Sequence, residues 1–524
     1  MVNFACRRPT VNHDLILNDG LPYLEFDNQN GGPSKKFGIA LACRKPEMTL
    51  VNARLLPPPD VCFASKTEKF AEGKWNLRGK RFARSTKKDL LSLSYLALRR
   101  NGTPPCRNTD QFVKSINDGL KNYFNSSEVV KVIKNFAHDQ ALLEACSSDE
   151  LAKRLEEAFK WLQHQRIKLV LIILPDNQVN TYYSIKKAAD RLTGIHTVCI
   201  VRDAKGLVKT DPGTVGNLML KINQKLGGVN WGLRADQVYA DVIGKNAIFV
   251  GADVTHPGRA AMLSAPSIAS VVATCDQDYF HYAGSVRLQA SQDEEKKALE
   301  MIEDFHGMMV ERLKLYQHKN QGRLPDRIFY IRDGVSDGQF QQVLDQELSQ
   351  LKRACKQMYK DQPLPKLLVL TTQKRHHTRF FADQGDKSDS IDNNRNFRPG
   401  LVVDTQIVSK QHFDWYNTSH ACIQGTSRPC KYVVLYDTIG VSADQIQMMM
   451  YHMAYTFGRA TRSISIHPAA RYADLLAERA RLHFRSVYNP PPTPQGQKKP
   501  TYSVLGRHWT GSFHDDVKDT MFYI

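Results

Sequence analysis

Apolar positions along the chain come in two rhythms. One is the short unbroken run, of which Leu169-Val-Leu-Ile-Ile-Leu174 is the purest; a run of that length bounded by polar residues reads as a strand buried on both faces. The other is helical: Leu151, Leu155, Phe159 and Leu162 recur every three to four residues and predict a helix over 148–163. A strand over 168–174, a loop and a helix over 182–192 then make a strand–loop–helix unit of the doubly wound type. From Val242 onward the pattern repeats with different lengths. Strands are predicted at 247–251, 267–273, 328–331, 366–371 and 431–436, with helices over 298–317 and 339–359. Residues 1–85 lack either rhythm and are rich in turn formers, as in Leu56-Pro-Pro-Pro-Asp60, so they read as an extended connector laid over other domains. The polar stretch 382–398 and the proline-rich stretch 489–500 read as mobile surface loops.

Composition narrows the class. A chain of 524 residues, 42% hydrophobic, is long enough for two or three domains with proper cores. Lys plus Arg outnumber Asp plus Glu by 72 to 53, a net charge of +19, which favours a polyanionic partner. Nucleic acid leads; an anionic membrane comes second because no basic amphipathic stretch is dedicated to one. No apolar segment approaches the ~18–20 residues of a membrane span, and the N-terminus lacks the apolar core of a signal peptide. Ten Cys are scattered without Cys-x-x-Cys pairs, so neither a zinc site nor a disulfide framework is indicated and a reduced, intracellular protein is expected.

Two runs carry candidate chemistry. Ile248-Phe-Val-Gly-Ala-Asp253-Val-Thr-His-Pro257 and Ile328-Phe-Tyr-Ile-Arg-Asp333-Gly-Val-Ser336 each read as a buried strand that delivers an Asp at or near its end. Either Asp alone would read as the cap of a turn. Two carboxylates at the rim of one sheet are placed to share a pair of divalent ions. Together with Gln373-Lys-Arg-His-His-Thr-Arg-Phe-Phe381, Gln424-Gly-Thr-Ser-Arg-Pro429 and Leu218-Met-Leu-Lys-Ile-Asn-Gln-Lys-Leu-Gly-Gly228, these runs resemble the motifs of eukaryotic Argonaute proteins over nearly the whole chain, and they suggest a fungal member.

That resemblance implies an α/β architecture: the tail of a PAZ domain and a linker (1–85), a Rossmann-like MID domain (86–241) and an RNase H-like PIWI domain (242–524), without the N-terminal and most of the PAZ domain. It implies small-RNA-guided gene silencing, in which a guide held by its 5′-phosphate directs endonuclease cleavage of complementary target RNA with two Mg²⁺ ions, Mn²⁺ being the alternative. The implied catalytic set is Asp253, Glu300, Asp333 and Asp474, with Asp253, Asp333 and Asp474 as metal ligands. Asp474 stands where many relatives carry His. Glu294 competes with Glu300 for the second place, and both also read as ordinary acids on a solvated helix face. His467 is assigned to structure.

The implied guide pocket comprises Tyr182, Lys186, Thr197, Lys221, Lys225 and Arg479. Tyr182 with Lys186, and Lys221 with Lys225, sit four apart, so each pair shares a helix face, although such lysine pairs usually just face water. Thr197-Val198 replaces the Gln of many relatives. Five residues at ~100° each place Asp474 and Arg479 about 140° apart on one helix, so a single helix can serve two sites. Arg375, His376, Arg379, Arg428, Arg459 and Arg462 are the candidate nucleic-acid backbone contacts, with ordinary polar residues at the surface or core edge as their other reading. Silencing partner proteins and a cytoplasmic location with a nuclear pool complete the expectation. A guide-loaded scaffold that silences through partners without cutting is the rival; an unguided RNase H-like nuclease is the third reading.

Overall fold

The computed structural model describes residues 6–24, 36–38, 47–100, 102–124, 147–234, 241–244, 246–289, 299–383, 389–490, 501 and 513–524. The smaller of two α/β units is built on three parallel strands, β1 (Leu93–Ala97), β2 (Leu169–Leu174) and β3 (His196–Val201), with β2 in the middle. Every β2 residue is buried, which is why its sequence is unbroken rather than alternating. Its odd and even side chains part to opposite faces. Leu169, Leu171 and Ile173 pack with Phe112, Ile116 and Leu120 of α1 (Thr109–Phe124). Val170, Ile172 and Leu174 pack with Leu151, Leu155 and Phe159 of α2 (Ser148–His164) and with Ile185 of α3 (Val179–Lys187), which continues helically to Thr193. Helix α4 (Pro212–Lys225) lies on the α1 side, started by Asp211, whose carboxylate accepts from the Thr214 amide at 2.9 Å, and by proline in its first turn.

The larger unit carries β4 (Ala247–Thr255), β5 (Ser267–Thr274), β6 (Tyr282–Gln289), β7 (Arg327–Asp333), β8 (Lys366–Gln373), β9 (Leu401–Val403), β10 (Phe413–Thr418) and β11 (Cys430–Asp437) in one sheet. Their order is β9-β10-β11-β8-β7-β4-β5-β6. The central trio β8, β7 and β4 is parallel and the remaining pairs are antiparallel. Helices α5 (Phe305–Lys319) and α6 (Ser349–Tyr359) cover one face. Helix α8 (Pro468–His483) covers the other, and α7 (Ala443–Met453) belongs to the same core. The α8 backbone comes so close to β4 that a methyl group on Gly251 would lie 2.1 Å from the Ala469 carbonyl oxygen. Only glycine fits there.

Several boundaries differ from those predicted. Strand β4 runs four residues past Gly251, to Thr255, so Asp253 stands within a strand rather than after one. The helix predicted from 298 begins at Phe305, with the Asp304 carboxylate accepting from the Gly307 amide at 3.0 Å. Strands β1, β3, β6, β9 and β10 were not predicted. Nor is all of 382–398 a loose loop: Asn396 is buried, and Ile391 pairs with Phe397. Residues 384–388 and 491–500, within the two predicted surface loops, lie outside the described residues.

The connector is laid across both units. Arg54–Leu55 adds a short strand to β9, and Asp60–Cys62 pairs with Gly232–Leu233. Trp75 stacks between Phe70 and Tyr455 and meets Trp231 edge-on, with centroids 5.2, 5.8 and 5.2 Å away. These rings tie connector, smaller unit and larger unit into one aromatic core.

Candidate active site and anion pocket

Asp253 and Asp333 meet because of register. Ala252 and Arg332 are partners in the parallel β4–β7 ladder, so the residue after each brings the two carboxylates side by side at the sheet rim. After Asp333 the chain turns at Gly334, φ +86°, whose amide donates to Asp333 Oδ1 at 2.8 Å. A methyl group on Gly334 would lie 3.1 Å from Glu300 Oε1 and 3.6 Å from Asp253 Oδ1. Three carboxylates thus converge around one glycine. Asp474, from α8, joins them electrostatically and touches Arg471 one turn earlier. Burial, then Asp333, Asp474 and Glu300 acting against Arg332, push Asp253 up to about 7. Glu294 lies outside the described residues.

Gly334→Ala is expected to cost about 1–2 kcal/mol from the left-handed backbone alone, and to push Glu300 and Asp253 apart. Denaturant unfolding and cleavage assays check it. A variant of native stability and activity would contradict the convergence.

Glu300 is held from behind. His256 bridges Ser267 Oγ at 2.9 Å and Glu300 Oε2 at 2.7 Å, and the buried Arg332 guanidinium donates to Glu300 Oε1 at 3.1 Å. Among the described residues no three Asp, Glu, His or Cys side chains stand at the spacing of one ion's ligands. The donors that do gather are all carboxylate oxygens, the chemistry Mg²⁺ or Mn²⁺ takes. Their mutual repulsion, which adds to burial in raising Asp253, is what a divalent cation would relieve. The residues fit such an ion by chemistry and charge rather than as a closed shell.

A cavity of about 460 Å³ opens between the two units. Tyr182 and Lys186 reach it from α3, Thr197 from β3, Lys221 and Lys225 from α4, and Arg479 from α8, so the structure brings all six predicted pocket residues together. Arg459 lines it too, beside Glu478, the one acidic side chain in its lining among the described residues. Lys186 Nζ donates to Thr197 Oγ1 at 2.6 Å and to its carbonyl at 3.2 Å, so Thr197 anchors the lysine. Arg479 donates to Tyr182 Oη at 3.2 Å, to Asp190 at 2.8 Å and to the Phe522 and Tyr523 carbonyls at 3.2 Å each. Burial, then Arg459 and Lys186, bring Lys221 down to about 8; burial, then Lys186 and Arg479, push Lys225 well below the usual lysine range. Cations crowded this closely call for an anion.

Asp190 holds Arg479 from outside the cavity and is itself buried, beside His483 Nε2 at 3.5 Å. Asp190→Asn leaves the guanidinium with a neutral partner. The expected result is a loss of about 3–5 kcal/mol in stability, typical of breaking a buried pair, together with weaker anion binding. Chemical denaturation and phosphate titration check both parts.

Residues 169–485 match the family model of the Piwi domain. The chain belongs to the Argonaute–Piwi family. It is similar to Kluyveromyces polysporus Argonaute with a guide RNA, at 25% identity and TM-score 0.78, covering 99% of this chain and 61% of that one. The C-terminal lobe of a budding yeast Argonaute matches at 27% identity and TM-score 0.74, covering 90% of this chain and 95% of the lobe. The N. crassa QDE-2 MID–PIWI domains share the fold, at 24% identity and TM-score 0.56, covering 85% of this chain and 100% of theirs. The chain thus spans about three-fifths of the K. polysporus protein and corresponds to an Argonaute C-terminal lobe, its larger unit being the RNase H-like PIWI domain and its smaller the MID domain.

The remaining PIWI cations divide. Arg375 and Arg428 are exposed, and the charge of Arg375 reaches Asp333. His376 and Arg379 are half-buried and engaged: a His376 ring nitrogen lies 3.0 Å from the Pro429 carbonyl oxygen, and Arg379 donates to the His376 and Thr378 carbonyls at 3.0 and 2.7 Å. Those two shape the segment that presents Arg375. Arg459, expected along a nucleic-acid backbone, lies in the anion cavity instead, and exposed Arg462 forms an antiparallel backbone bridge with Lys74 of the connector. His467 is fully buried, its Nδ1 accepting from the Ala469 amide at 3.1 Å as the cap of α8. Sequence reasoning passed over His256, Arg332 and Asp190. The first two stood inside the quoted Asp runs, whereas Asp190 carried no signal.

Proposed function

We propose that this lobe binds a guide RNA by its 5′-phosphate in the MID cavity and cleaves complementary RNA at the PIWI carboxylates. The observation that carries the proposal is that α8 serves both places: Asp474 joins the acidic centre and Arg479, five residues on, lines the cavity. A guide end fixed at one face of a rigid helix sets which phosphate of a paired target reaches the other face. Support also comes from the K. polysporus relative, whose structure contains a guide RNA.

Lys186, Lys221, Lys225, Arg459 and Arg479 would neutralise the terminal phosphate, and the Tyr182 ring, which lines the same cavity, would stack on the first base. Contacts of this kind are blind to sequence, so specificity falls to base pairing with the guide. At the other site Asp253, Asp333 and Asp474 would hold divalent magnesium, which when bound supplies charge neutralisation and an activated water. Glu300, fixed by His256 and Arg332, adds the fourth carboxylate. Arg375, whose charge reaches Asp333, would meet a backbone phosphate there.

Competition between 5′-phosphorylated and 5′-hydroxyl guides of one sequence tests the pocket. The phosphorylated guide should bind more tightly. Equal affinities would contradict the assignment and return the unguided nuclease to consideration.

A further inference from the structure

Residues 299–304, which carry Glu300, form neither strand nor helix. Their backbone is held by side chains from elsewhere. The Ile302 amide donates to Glu347 Oε1 at 3.0 Å, Gln350 Nε2 donates to the Ile302 carbonyl at 3.0 Å, and the His306 amide donates to Gln350 Oε1 at 3.0 Å. Glu347 and Gln350 are three residues apart, one turn of the helical run that ends in α6. From the opposite side Gln289, at the end of β6, accepts from the Glu303 amide at 2.9 Å and donates to the Leu299 carbonyl at 3.3 Å.

Glu347 also grips the strand that ends in Asp333. Its Oε2 accepts from Tyr330 Oη at 2.6 Å, and both its oxygens lie 3.2 Å from Arg332 Nε. The same guanidinium donates onward to the Glu300 carboxylate and to the carbonyls of Glu300 and Asp333. Burial opposes the charge of Arg332, yet Glu347, Tyr330 and Glu300 together hold its pKa above the ordinary range. Glu347 and Arg332 are both fully buried, at 0% exposure. A hydrocarbon pair could fill that space without the desolvation penalty. It could not bond the Ile302 amide, Tyr330 and Glu300 at once.

We propose that Glu347 is a positioning residue of the cleavage centre, with Gln350 as its second arm. It locks the irregular segment carrying Glu300 to the strand carrying Asp333, and so sets the spacing between those two carboxylates. The inference rests on the cleavage reading above. Glu347 is fully buried behind the centre and lies outside the lining of the anion cavity, so its proposed role is confined to holding the carboxylates.

The test compares wild type, Glu347→Gln and Gln350→Leu, each as the whole chain loaded with a 5′-phosphorylated guide. Amide hydrogen exchange over residues 299–306 and single-turnover cleavage in Mg²⁺ are read in parallel. Both variants should exchange faster at Ile302 or His306 and cut on the order of 100-fold more slowly, the scale of a small misplacement of reacting groups, with guide and target affinities unchanged. Glu347→Gln removes one of the two carboxylates bonded to Arg332 and is expected to lower stability. Gln350→Leu leaves that pair whole, so its slower cutting carries the proposal alone. Unchanged exchange overturns the brace, and faster exchange with unchanged cutting overturns its positioning role. If wild type does not cut, the cleavage reading fails separately. Mn²⁺ affinity, followed by electron paramagnetic resonance, then replaces the rate: weaker binding in both variants supports the proposal and unchanged binding overturns it.

Discussion

Asp333→Ala should abolish cutting while the protein still takes up its guide. The side chain lies beside Asp253 in register, shares the rim around Gly334 and faces the charge of Arg375. Its removal takes away a proposed metal ligand and lets target phosphate sit in the same groove without activation. A single-turnover rate lower by on the order of 1,000-fold or more is expected, at or above what one lost stabilising group costs in other enzymes. Guide affinity should not change, because no residue lining the cavity has moved. Stability should hold or rise, since Asp333 is the strongest charge repelling Asp253. Residual cutting near the wild-type rate would remove Asp333 from the centre.

Lys221→Met with Lys225→Met should do the opposite, sparing the carboxylates and weakening guide binding. Methionine keeps the packing of the lysine stems and deletes two ammonium groups. Charge-assisted contacts are worth roughly 1.5–3 kcal/mol each, so affinity should fall on the order of 100-fold or more, with a flatter dependence on salt as fewer counterions are released. Guide-free protein should be no less stable than wild type, because burial and the neighbouring Lys186 and Arg479 weigh against an ammonium charge on either lysine. The sign of the pH dependence follows from Lys221. Burial, then Arg459 and Lys186, bring its folded value to about 8 from an ordinary 10.5, so the unfolded chain binds that proton more tightly. The penalty is complete below about pH 8 and is relieved as pH rises from about 8 toward 10.5, where guide-free protein gains stability. Bound phosphate favours the ammonium form, so guide affinity should weaken over the same window. Thermal unfolding and guide titration between those limits check the two trends, which the double variant should lose.

What could be read from the sequence was local. Strand β2 and the Asp runs of β4 and β7 stand out because central parallel strands are buried on both faces and therefore apolar throughout. The lysine pair of α4 stands out because spacing of four is a helix face. Strand β6 hides because Tyr282-Ala-Gly-Ser-Val-Arg-Leu-Gln289 mixes small and charged residues that only its pairing with β5 makes extended. The start of α5 was misplaced because the helical rhythm continues upstream, while Gln289, Glu347 and Gln350 claim the backbone groups a longer helix would have used. At the site the groups that touch ligand were legible by resemblance, whereas those that hold them were not. His256 meets Glu300 across 44 residues, and Asp190 meets Arg479 across 289. No spacing rule reaches that far.

Cleavage of an end-labelled RNA paired to a 5′-phosphorylated guide, in Mg²⁺ and in EDTA, tests the central claim most directly. The account predicts metal-dependent cutting at one fixed phosphate, moved when the guide is shifted along the target and lost in Asp333→Ala. Tight guide and target binding with the RNA intact in Mg²⁺ and in Mn²⁺ would contradict it and make this lobe a guide-loaded scaffold.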